Sequence, residues 1–106
     1  MIYSVNFAPQ AEDQLAQIYR YIADHGSADT AARYTEAIVA GCERLRQFPH
    51  RGTAREDLRP GLRLTHYKGR TVIAYAVEES AQLVTILGVF YGGQDHESAL
   101  RSDLDS

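Results

Sequence analysis

The sequence holds little with which to cross-link itself, cross a membrane or bind a metal. Its one cysteine, Cys42, excludes an internal disulfide. Cys42 lies on the apolar side of a predicted helix, which marks it as a small buried hydrophobe rather than a nucleophile. No apolar run approaches the roughly 20 residues that a membrane-spanning helix needs. The start, Met1-Ile2-Tyr3-Ser4-Val5, lacks the basic opening and apolar run of a signal peptide, so a cytoplasmic location is expected. His25, His50, His66 and His96 have no metal-ligand spacing, and a Gly-rich phosphate loop is missing. Neither a metal nor another cofactor is expected. There are no internal repeats, and 106 residues suit one domain with a core of modest size.

What is present is unevenly charged. The formal net charge is −3, yet the window from Arg44 to Arg70 holds eight basic and two acidic residues, a net +6 against −9 for the remainder. Within it, Arg51, Arg55, Arg59 and Arg63 recur every four residues, and two of the three prolines, Pro49 and Pro60, punctuate the same stretch. Proline removes a donor and biases its predecessor towards extended geometry, so Phe48 to Arg63 cannot be one long helix. It reads as a shaped cationic connector. The charge separation predicts a cationic face for an anionic partner; a solvated, partly salt-bridged loop is the alternative.

Around the connector the chain divides in two. Residues up to Phe7 are rich in β-formers and predict a strand. Pro9 suits the first position of a helix. Ala11, Leu15, Ile18, Tyr19 and Ile22 then follow helical spacing. Gly26 is expected to supply the left-handed residue that ends this helix. Ser27 is the predicted N-cap of a second helix, with Ala31, Tyr34, Ile38, Cys42 and Leu45 as its apolar stripe and Phe48-Pro49 as its stop. The short link makes the two helices an antiparallel hairpin. Beyond the connector, Leu62 to Tyr67 reads as a strand, Lys68-Gly69 as a tight turn, Arg70 to Val77 as a second strand and Gln82 to Tyr91 as a third. Residues 96–106 are expected to be an acidic, frayed tail, with one turn of helix around Ser98–Arg101, after a domain spanning residues 1–95. The order β-α-α-β-β-β predicts an α+β fold, a helical hairpin on one face of a small, mostly antiparallel sheet. The last two strands are apolar on both faces, which two short helices cannot cover, so a partner on the second face is the expectation.

Several motifs carry a family resemblance: Phe48-Pro49-His50-Arg51-Gly52; the run Arg55-Glu56-Asp57-Leu58-Arg59-Pro60-Gly61-Leu62-Arg63; Gly69-Arg70 opening a strand that ends Ala74-Tyr75-Ala76-Val77; and Tyr91-Gly92-Gly93-Gln94-Asp95. Over roughly Tyr3 to Asp95 the chain resembles the ParE/RelE superfamily of type II toxin–antitoxin toxins, and the 55–63 run looks more like the ParE branch. The resemblance implies a toxin that inhibits DNA gyrase and is neutralised, as a hetero-oligomer, by a ParD-like antitoxin wrapping the hairpin and the sheet. Antitoxin-binding residues would be Leu15, Ile18, Tyr19, Tyr34, Val84, Ile86 and Phe90. Gly88 and Tyr91 depart from the pattern, standing where relatives often have a basic residue and a histidine.

Three functions follow. As a binding poison, the chain would meet its target with Arg51, Arg55, Arg59, Arg63, Lys68 and Arg70. As a RelE-like ribosome-dependent mRNA interferase, it would use Arg63, Lys68 and Arg70 as cations for the phosphate and Tyr91 as an acid, Arg70 and Tyr91 matching positions that resemble catalytic ones. The general base is the gap: Glu56 and Asp57 sit beside arginines, and His66 is the other candidate. A non-toxic, degenerate binding partner is the third reading. No base-reading helix is evident, so sequence-specific nucleic-acid binding by this chain alone is not expected.

Overall fold

Pro9 opens the first helix without a side-chain cap, its missing N–H costing nothing at that position. A computed structural model describes residues 2–92 and 96–101, without the side chains of His96 and Ser98. The elements are β1 (Ser4–Phe7), α1 (Pro9–His25), α2 (Ala28–Glu43), a 3-10 turn (Arg44–Arg46), β2 (Thr53–Ala54), β3 (Leu62–Tyr67), β4 (Thr71–Glu78), β5 (Leu83–Tyr91) and α3 (His96–Leu100). Ser27 caps α2 as its residue type predicts, accepting from the Thr30 N–H at 3.1 Å. Gly26 departs from expectation. Its φ is −151°, because the chain turns straight into the extended Ser27 cap with no left-handed residue between.

Both helices lie on one face of a five-stranded sheet of order β1-β5-β4-β3-β2. β1 runs parallel to β5, and the other neighbours are antiparallel. The α+β class and the helical hairpin are as the sequence predicts. The extra strand β2 is two residues of the connector, too short to carry a periodic signal, and it docks on Leu64 and Arg63 of β3. Lys68 and Gly69 have φ of 54° and 73°. The hairpin loop is the three residues 68–70, and the Arg70 N–H donates to the Tyr67 carbonyl at 3.3 Å, so Lys68 and Gly69 are the positive-φ centre of a type I′ turn, whose twist matches the strands.

The core under the helices joins Ala11 and Ile18 of α1, Ile38 and Cys42 of α2 and Leu45 to Ile73, Tyr75, Val84, Ile86 and Val89. Each fully buried aliphatic side chain there contributes roughly 1.5–3 kcal/mol relative to exposure. Along β5, Val84 and Ile86 face the helices, and so does Val89, three residues on. The switch of parity comes from a bulge: Tyr75 pairs with Ile86 but Ala74 pairs with Gly88, leaving Leu87 as the extra residue.

The second face of the sheet is not left to a partner alone, as the two-sided apolar strands suggested. Leu58 from the connector and Leu100 from α3 bury themselves against Leu62, Leu64, Ala74 and Phe90. The turn of helix expected around Ser98–Arg101 is α3, two residues earlier, and Leu100 docks it on the sheet rather than leaving it frayed; residues 102–106 lie outside the described residues.

Cys42 is wholly buried, and burial pushes its thiol up to about 12. The folded chain is expected to leave a thiol reagent unreacted at pH 8 and to react stoichiometrically once unfolded in denaturant; rapid labelling of the native protein would contradict this packing.

Candidate functional site

At the hairpin tip the type I′ turn presents Lys68 and Arg70, both exposed. β4 and β5 place Thr71 opposite Tyr91, and the Gly92 N–H donates to the Arg70 carbonyl at 2.8 Å, which sets Arg70 beside Tyr91. The Arg70 guanidinium lies 5.7 Å from the centre of the Tyr91 ring and the Lys68 ammonium 6.0 Å from that of Tyr67. Tyr91 is braced edge-on by Tyr21 of α1 at 5.9 Å and Tyr34 of α2 at 5.6 Å, and Tyr34 also meets Tyr67 at 5.4 Å. Tyr34 and the buried Thr71 share a hydroxyl hydrogen bond of 2.8 Å. Four tyrosines from two helices and two strands thus form a rigid aromatic platform with two cations at its rim.

A cleft of about 340 Å³ opens beside this platform, lined by Gln14, Gln17, Ile18, Tyr21, Arg70, Tyr91 and Gly92. These residues offer a cation, phenols and amides but no carboxylate and no imidazole. The base candidates lie elsewhere. Asp57 is held by Arg55 through two bonds of 2.8 Å, which keep its carboxyl below the usual range. Glu56 accepts from the Gly61 N–H at 3.1 Å. His66 pairs with Val72 and shares the second face with Leu64, away from Tyr91. Among the described residues, one imidazole that the base candidates did not include does touch the platform. His25 stacks on Tyr21 at 4.2 Å and its Nδ1–H donates to the Tyr21 carbonyl at 2.8 Å. The spacing of four residues along one helix was the available signal.

The connector arginines do not assemble into a single face. Arg55 is paired with Asp57 and, at 3.2 Å, with Glu97. Arg63 turns inward along β3, where one guanidinium nitrogen donates to the carbonyls of His50 at 2.7 Å and Gly52 at 2.9 Å. Among the described residues its buried Nε finds no partner. The start of the connector is fixed again where His50 meets Glu79 at 2.5 Å and Tyr3 donates to the same carboxylate at 2.7 Å. His50 and then Tyr3 hold the Glu79 carboxyl below its ordinary value. Arg51 is exposed and Arg59 half-buried. Arg63 and Lys68 are five residues apart on an extended strand, roughly 16 Å, so the +6 window splits into a connector group and the hairpin tip.

The residues expected to meet an antitoxin also separate. Leu15 and Tyr19 line a shallow groove on the outer side of the hairpin, about 390 Å³, with Ala16, Thr35, Glu36 and Val39. Val84 and Ile86 have no exposed surface, Ile18 and Phe90 are buried, and Tyr34 belongs to the platform. A period-two strand pattern marks what is apolar but not which layer covers it.

The family model for the ParE toxin of the type II toxin-antitoxin system parDE matches residues 5–96. The chain belongs to the ParE toxin family. This ParE-family toxin is similar in fold to the chromosomal ParDE toxin–antitoxin system of P. aeruginosa, with a TM-score of 0.73 and 20% identity over 86% of this chain and 97% of that one. It is similar to the toxin–antitoxin complex RelBE2 of Mycobacterium tuberculosis, with a TM-score of 0.68 and 20% identity over 86% and 92% of the two chains. A mutant of the E. coli toxin RelE in the free state gives a TM-score of 0.67 at 14% identity over 94% of each chain. No curated protein matches the sequence. The ParE-family toxin is thereby a toxin of a type II toxin–antitoxin system, and among the described residues no helix is long and apolar enough to cross a membrane.

Proposed function

We propose that this toxin inhibits DNA gyrase in the cytoplasm by binding, with no catalytic act of its own. The match to the ParE family favours this target. The observation that carries the non-catalytic part is the make-up of the cleft: Arg70 and Tyr91 are in place, but among the described residues its lining includes no carboxylate or imidazole to take a proton from a ribose 2′-hydroxyl. What stands there, two cations against braced tyrosines, is the kind of arrangement that anchors protein interfaces, where arginine and tyrosine dominate binding energy. With Arg55 and Arg63 engaged inside the fold, the target surface contracts to Lys68, Arg70 and Tyr91, with Arg51 and Arg59 as outlying cations. A supercoiling assay with purified gyrase tests this. Toxin in excess should stop supercoiling; unchanged supercoiling would sink the gyrase reading.

The outer groove of the hairpin is the proposed seat of a cognate ParD-like antitoxin, whose apolar face would cover Leu15, Tyr19 and Val39. Solved relatives that are toxin–antitoxin complexes support a partner of this kind.

A RelE-like mRNA interferase is the second reading. It is favoured by the contact of Arg70 with Tyr91, which sets a cation beside a phenol that could serve a leaving oxygen. New cleavage sites in a toeprint of translated mRNA, abolished by Arg70→Ala, would establish it in place of the first.

A further inference from the structure

β1 pairs with β5 only as far as Phe7 and Ile86, because the chain then leaves the sheet at Ala8 and enters α1 at Pro9. From Leu87 onward β5 has no β1 residue beside it. At this point, too, the bulge lifts one residue out of register with β4. The buried Val89 N–H donates to the side chain of Gln14, with the Oε1 atom 2.7 Å away. Only the carboxamide oxygen can accept from an N–H, so this contact fixes how the Gln14 amide is turned. Gly88 belongs to the same arrangement: a Cβ there would meet the Phe90 ring at 2.6 Å and Gln14 Oε1 at 3.3 Å.

Parity gives this contact its consequence. Val84 and Ile86 point to the helices. Without the bulge, alternation would next send Gly88 and Phe90 to that face and Val89 and Tyr91 to the other. With it, Val89 and Tyr91 face the helices and Phe90 joins Leu58 and Leu100 on the opposite side. Whether Tyr91 stands beside Arg70 or on the far side of the sheet thus depends on one extra residue. Gln14, which also lines the Arg70–Tyr91 cleft, ties that stretch to α1.

We propose that Gln14 is a positioning residue: by accepting the Val89 N–H it holds the β5 bulge in register and thereby places Tyr91 on the helical face, against Tyr21, Tyr34 and Arg70. Its importance for potency rests on the reading of Lys68, Arg70 and Tyr91 as the target surface; its effect on Tyr91 does not.

The test compares the full chain with Gln14→Leu, which keeps volume and loses the acceptor, and Gln14→Glu, whose carboxylate keeps it at neutral pH. Gln14→Ala serves in place of Gln14→Leu if the latter does not fold. In labelled protein, Gln14→Leu is expected to speed exchange of the Val89 amide at least tenfold and to remove the contacts between the Tyr91 and Tyr34 rings, while amides of Ile38 and Cys42 stay protected. Gln14→Glu should restore both signals, which a merely space-filling role would not do. Persistence of the Tyr91–Tyr34 contacts in Gln14→Leu, or failure of Gln14→Glu to restore them, would overturn the inference. If the contacts vanish while inhibition of gyrase is undiminished, the positioning role holds and the assignment of Tyr91 to the target surface falls.

Discussion

Gly52→Ala is expected to lower the melting temperature by more than about 12 °C. A Cβ at Gly52 would run into the carbonyl oxygen of Leu64, with the carbonyl carbon at 2.8 Å and the Tyr75 hydroxyl at 3.2 Å. Neither neighbour can give way. Leu64 is paired on both sides, to Thr53 and Ala74, and Tyr75 is wholly buried in the core. The connector would have to lift instead. That would stretch the bond from the Gly52 N–H to the Tyr75 hydroxyl, 3.3 Å, and the one that the Gly52 carbonyl accepts from Arg63, 2.9 Å. Overpacking of this kind costs roughly 1–3 kcal/mol. Each hydrogen bond lost adds about 1 kcal/mol, more where the donor is charged. The total, about 3–5 kcal/mol, corresponds to at least 12 °C at roughly 4 °C per kcal/mol for a domain of this size. Gly41→Ala is the control. Its Cβ would find only Arg44 Nη2 at 3.7 Å, and alanine in a helix interior gains roughly 0.5–1 kcal/mol over glycine. A thermal melt in which Gly52→Ala shifts by less than about 3 °C would contradict this account of the connector.

The same stretch shows where sequence reasoning ran out. Pro9, Ser27 and the pair Lys68-Gly69 announce their elements because helix starts, caps and tight turns are decided by a few adjacent residues. The ladder from Leu62 to Tyr67 was legible for the same reason. The charge excess of the connector suggested one cationic face or, as the alternative, a partly salt-bridged loop, and composition alone does not choose between them. Arg55 meets Glu97, forty-two residues on, and Arg63 reaches back to His50 and Gly52. Neither pairing leaves a trace in local composition. The bulge at Leu87 was equally silent. An unbroken apolar run reads the same with one residue lifted out, so it does not show which residues of β5 share a face. Leu58 and Leu100 read from sequence as connector and tail, because isolated leucines carry no period. The fold was therefore legible in its local signals, and the candidate site only in its residue types.

Substitutions at Tyr91 are expected to separate docking from chemistry. Tyr91→Ala removes the ring that braces Arg70 and that Tyr21 and Tyr34 support. If the platform is an anchor, truncation at its centre costs at least about 2 kcal/mol of binding, or roughly thirtyfold in the concentration that halts supercoiling. Arg70→Ala should cost a similar factor and make inhibition less sensitive to salt, since an exposed cation contributes to encounter as well as to contact. Tyr91→Phe keeps the ring and its edge-on neighbours and loses only the hydroxyl, so a docking role predicts less than about a tenfold loss. A proton-donating role predicts the reverse order of importance. There the phenol itself is the reagent, and its removal costs on the order of 10²–10⁴ in rate whether or not the ring remains. Growth arrest and supercoiling measured for Tyr91→Phe beside Tyr91→Ala therefore decide between the two functions. A near-silent Tyr91→Phe with a crippled Tyr91→Ala fits a surface that holds its target, whereas equal loss in both moves the reading to the nuclease.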